Sequence, residues 1–131
     1  MADRVMRIIA GQVVAEGRLN DSRTATAIWN ALPIDARSQT WGDEIYFDIG
    51  LDADAESPRE VVEVGDLAYW PPGQAFCIFF GRTPASRGDE PRAASGVNVV
   101  GRVTGDATVF KRVRSGTAIR LERASEGGAK R

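Results

Sequence analysis

Asp43, Glu44 and Tyr46 form the densest group of side chains capable of chemistry in this chain. Neighbouring carboxylates can divide acid and base roles when burial lifts one pKa toward neutrality. Glu44 to Ile49 alternates polar and apolar residues, which places Glu44, Tyr46 and Asp48 on one strand face and Ile45, Phe47 and Ile49 on the other. Glu44 and Tyr46 are therefore the candidate catalytic residues. A plainer reading has Asp43 capping a turn and Glu44 paired with an arginine. The chain has no histidine, which removes the commonest general base near neutral pH. Serine–histidine and cysteine–histidine catalysis and histidine zinc sites are excluded with it. Cys77, the only cysteine, lies between Phe76 and Ile78 and reads as a small buried hydrophobe. Asp48, Asp52, Asp54 and Glu56 lack the glycine and terminal glutamate of an EF-hand loop, so a solvated acidic loop is expected, with no metal and no cofactor.

A second group is aromatic. Gly65 to Ser86 holds five of the ten aromatic residues and three of the six prolines. Strand-like runs Leu67–Trp70 and Ala75–Phe80 flank a Pro71-Pro72-Gly73 turn, a buried hairpin with aromatic side chains to spare. Alternation sends some of Tyr69, Trp70, Phe76, Phe79 and Phe80 into the core. The remainder can form a partly open pocket for a proline ring, an apolar peptide side chain or a small aromatic ligand. Asn98, on an otherwise apolar strand, is either satisfied by backbone or a ligand contact. Asp66 is expected to hold a turn by bonding backbone amides.

The elements that position these groups are mostly strands. Val5–Ala10 and Gln12–Leu19 are strand-like about Gly11. Asn20-Asp21-Ser22 offers helix caps, and Ala25, Ile28, Trp29 and Leu32 then fall on one helical face until Pro33 closes it. Gly50–Pro58 reads as a loop, Arg59–Val64 as a weak strand, and Arg82–Gly96 as a long surface loop. Val97–Val103 is a strand, and Ala107–Val113 with Thr117–Arg123 reads as a final hairpin. Residues 124–131 read as a flexible tail. About eight short strands, one convincing helix and no βαβ alternation predict a mainly β fold, a closed eight-stranded barrel with one or two short helices.

At 131 residues, 43% hydrophobic and 27% charged, the chain is expected to form one soluble domain spanning 1–131, with its core over about 5–123. A net charge of −1 gives no electrostatic reason to expect nucleic acid or an anionic membrane as partner. Without a signal-peptide pattern or a long apolar run, a cytoplasmic location is expected.

Gly65–Gly73 followed by Phe79-Phe80 resembles the core hairpin of the cyclophilins, and Val99–Val103 is similar to the strand after it. The likeness is closer to a small prokaryotic cyclophilin-like family of unassigned function. Its recurring elements stand here at Ser22–Thr26, Leu32-Pro33, Trp41–Phe47, Gly65–Gly73, Phe79–Pro84 and Val97–Gly101. The resemblance covers about residues 5–123 and implies the eight-stranded cyclophilin barrel. It implies Phe80 as the pocket phenylalanine, Ile78 where cyclophilins carry a glutamine, and Val97 near their histidine. The strand that carries the isomerase arginine offers Gly42-Asp43-Glu44, and a carboxylate cannot replace a guanidinium. The residues expected to bind a ligand are Trp41, Glu44, Tyr46, Tyr69, Trp70, Ile78, Phe80, Thr83 and Asn98. A binding module for a small molecule or an apolar, proline-containing peptide is the leading reading. A weak or divergent prolyl isomerase and a self-associating homodimer are the alternatives.

Overall fold

Gly11, at φ +61°, turns the chain between β1 (Arg4–Ala10) and β2 (Val13–Leu19). In β1 every second residue, Met6, Ile8 and Ala10, is buried, as a period of two requires. The computed structural model describes residues 4–124, which contain ten strands, one α-helix and two 3-10 helices. The helix α1 (Arg23–Ala31) starts where Ser22 Oγ accepts from the Ala25 amide at 3.2 Å. It ends at Leu32, whose extended backbone (φ −67°, ψ 145°) is what a following proline demands. Ala25 and Ile28 are buried, and Trp29 and Leu32 pack against the same core.

The remaining strands are β3 (Ile34–Arg37), β4 (Gln39–Thr40), β5 (Glu44–Asp48), β6 (Arg59–Val61), β7 (Asp66–Trp70), β8 (Ala75–Phe79), β9 (Arg92–Thr104) and β10 (Ala118–Arg123). They form an antiparallel sheet in the order β3-β10-β1-β2-β9-β7-β8-β5-β4, with β6 added to β9. The mainly β class holds, but the closed eight-stranded barrel needs correction. There are ten strands, and among the described residues no hydrogen-bonded pairing joins β3 to β4. The stretch 34–40 gives its pairing groups to two partners, β10 through β3 and β5 through β4. Only Ser38 separates the two edge strands along the chain. It is 1% exposed, its amide donates to Thr117 O at 2.9 Å, and its carbonyl accepts from the Gly116 amide at 2.7 Å.

Three further expectations are revised. Residues 107–112 form a 3-10 helix rather than a hairpin strand. Asp106 caps it by accepting from the Thr108 amide at 2.9 Å, and its buried residues, Ala107 and Phe110, are three apart. The loop after β8 is shorter than the expected 82–96, because β9 starts at Arg92. Of the expected tail, Ala124 is buried, while 125–131 lie outside the described residues.

Two apolar layers result. Met6, Ile28, Phe47, Phe76, Phe80 and Phe110 belong to the inner one. The outer layer holds Val62, Ala68, Cys77, Phe79, Ala93 and Val97, with Tyr46, Trp70 and Val99 at its margin. β7 and β8 lie between them and are covered on both faces, hence their nearly unbroken apolar sequence.

Candidate functional site

The outer layer is incomplete over one end of β5. There Trp41, Glu44, Tyr46, Trp70, Ala93, Ala94 and Val97 surround a cavity of about 230 Å³. Strand register explains the grouping. Tyr46 and Ala68 both face Cys77 across their respective pairings, and Glu44 faces Phe79, so these side chains share the outer face. Trp70, at the end of β7, is held by its indole N–H donating to Ser95 Oγ at 2.8 Å. Trp41 is set by a turn in which its amide donates to Glu44 O at 2.9 Å. That turn needs Gly42, at φ +62°, where an added Cβ would stand 2.9 Å from Arg82 O.

Asp43 and Glu44 do not work as a pair. The Asp43 carboxylate meets Lys111 Nζ at 3.6 Å, and its backbone extends the β5–β8 pairing to Phe80 N at 2.9 Å and Arg82 O at 2.7 Å. Glu44 faces the cavity at 6% exposure. Burial pushes its carboxyl up to about 7, partly opposed by a hydrogen bond from the Cys77 thiol. Among the described residues the expected arginine partner is not found: no basic side chain lines the cavity. Burial, then the Glu44 charge and that hydrogen bond, raise the Cys77 thiol well above its ordinary value, which leaves it protonated and inert.

Trp41, Glu44, Tyr46 and Trp70 are thus brought together, while the other expected ligand residues lie elsewhere. Ile78 and Phe80 point inward, and the Phe80 ring lies 6.2 Å from that of Phe110. Tyr69 is also an inner residue. Its hydroxyl donates to Leu51 O at 2.5 Å and accepts from the Ala53 amide at 3.2 Å, which ties down the acidic loop. Asn98 is buried beside it, donating to Asp54 O at 2.9 Å and Thr24 Oγ1 at 3.1 Å, and accepting from the Glu56 amide at 2.7 Å. Thr83 holds the loop before β9: its hydroxyl donates to Arg92 O and its amide to Ser86 Oγ. The acidic loop is not merely solvated. Glu56 accepts from the Arg23 and Thr24 amides at 3.1 and 2.9 Å, and these bonds hold its carboxyl below the ordinary range. Asp66 holds a turn as expected, accepting from the Glu63 amide at 2.9 Å.

Ala93, Ala94 and Val97 were not among the expected site residues. Ala93, Val97 and Val99 belong to the outer layer, so extending the Val97 strand backward in steps of two would have reached Ala93. The Gly, Pro and Ser content of 82–96 hides that continuation.

The mainly β class that the hairpin residues suggested is present, as an antiparallel ten-stranded sheet rather than the closed eight-stranded barrel. A model of the Cyclophilin-like family matches residues 4–122, and the chain belongs to that family. Among solved structures it is similar to the hypothetical protein AF2241 from Archaeoglobus fulgidus, known in solution. The two are 40% identical with a TM-score of 0.79, over 93% of this chain and 95% of that one. No curated protein matches the chain. No helix among the described residues is long and apolar enough to cross a membrane.

Proposed function

We propose that the cavity at Trp41, Glu44, Tyr46 and Trp70 binds a small ligand, and that the protein acts as a binding module. The observation that carries this reading is a cavity with apolar and aromatic walls whose one charged lining residue is Glu44. Ligand sites combine apolar walls with a few convergent polar groups in this way. At about 230 Å³ the cavity is below the ~300–1,000 Å³ of sites for drug-sized molecules, so it suits a compact ligand or the tip of a larger one. Prolyl isomerisation is disfavoured by the same lining, which offers a carboxylate and no guanidinium. A second reading, proton transfer by Glu44, is supported by its pKa near 7 beside Tyr46.

A thermal-shift screen against proline-containing peptides, small aromatic acids, neutral alcohols and amines tests the binding reading. Ligand at a hundred times its Kd should stabilise the fold by about 2.7 kcal/mol, and Trp41→Ala should abolish the shift. No shift across the panel would overturn it. A protease-coupled isomerase assay is expected to show no rate above background.

A further inference from the structure

Three aromatic side chains reach this one cavity from separate segments, Trp41 from the turn after β4, Tyr46 from β5 and Trp70 from β7. One carboxylate joins them, and the β9 wall of Ala93, Ala94 and Val97 carries no charge. Each class of ligand meets this lining differently. An anion meets the π faces and Glu44, both of which repel it. A neutral apolar ligand leaves Glu44 desolvated with the Cys77 thiol as its polar contact. A bare metal ion needs several oxygen ligands, ~6–8 for calcium, and one carboxylate does not supply them. An organic ammonium ion carries its charge on an apolar, weakly hydrated body that aromatic faces attract electrostatically.

Resting on the binding reading above, we propose that the ligand class is a small organic ammonium ion, enclosed by Trp41, Tyr46 and Trp70 with Glu44 as counter-ion. Trp70 is held in place by its bond to Ser95, so that wall is set before the ligand arrives. The titratable groups beside Glu44 are Tyr46 on its own strand and Cys77 on β8; β7 and β9 bring no charge to the cavity. Binding therefore follows the ionisation of Glu44 and strengthens as pH rises.

Calorimetric titration of the full chain with choline and with its neutral carbon analogue, 3,3-dimethylbutan-1-ol, tests this. Choline is expected to bind at least tenfold more tightly than the alcohol at pH 8, and about tenfold less tightly at pH 6 than at pH 8, as Glu44 takes up its proton. Glu44→Gln should weaken choline at least tenfold and leave the alcohol unchanged, while Trp41→Ala weakens both. Equal or tighter binding of the alcohol, or a Glu44→Gln variant that holds choline unchanged, overturns the cation assignment and leaves the binding reading standing. Failure of choline to bind while other members of the screen do has the same meaning. Failure of every compound overturns both.

Discussion

Glu44 carries a cost in the free protein that its environment makes measurable. Its carboxyl titrates at about 7 rather than 4.5 because burial disfavours the charge, so the folded chain holds this proton more tightly than the unfolded chain. The stability from that preference is complete below pH 4.5 and is lost as pH rises through 7. Glu44→Gln has no such loss. Denaturant titrations should find its stability relative to the parent protein rising by about 2 kcal/mol between pH 5 and pH 8. An unchanged difference would mean that Glu44 is solvated. The site residues that strand alternation places on the outer face, Glu44 and Tyr46, were legible because period two fixes a side once one residue is placed. Trp70 followed from the hairpin. Ile78 and Phe80 were misplaced because resemblance, rather than alternation, assigned them to the pocket. Both share a face with Phe76, which is inner. Tyr69 and Asn98 were ambiguous from sequence, since their polar atoms are satisfied by residues distant along the chain, Leu51 and Ala53 for one and Asp54 and Thr24 for the other.

Between elements, Gly101 lets β9 lie directly against the β2 backbone. A Cβ added at Gly101 would stand 2.1 Å from Arg18 O, and neither backbone can withdraw without breaking the pairing of Leu19 with Gly101. Gly101→Ala should therefore cost more than about 2 kcal/mol in equilibrium unfolding, a strain effect well outside the usual range for surface changes. A value near zero would show that β9 shifts freely along β2. The helix was readable from Ser22 and the apolar face behind it. Its second cap was not, because Glu56 is some thirty residues away and reaches the helix only through the fold. Residues 107–112 were misread as a strand because a short apolar run carries both periods. Asp106 as a cap and the spacing of Ala107 and Phe110 decide for the 3-10 turn.

At the scale of the whole molecule, the paired strands and the segment after β8 differ in how they are held. The inner layer is surrounded by strand pairings, while the segment after β8 is attached largely by side chains, with Ser86 Oγ accepting from Thr83 and Glu90 from the Arg87 and Gly88 amides. Amide exchange followed by NMR should show Thr83, Arg87 and Gly88 exchanging through local opening, well ahead of the amides of β7 and β8. Equal protection would mean that the segment after β8 opens only with global unfolding. The number and alternation of strands gave the mainly β class. How the sheet ends depends on long-range pairing that no local pattern records. Its two borders, β3 and β4, belong to one stretch of chain, with Ser38 between them. Ser38 is a seam, and a seam can be cut. The two rims are joined there by the chain and, among the described residues, by no hydrogen-bonded pairing, so a single backbone cleavage would let them part with no pairing between them lost.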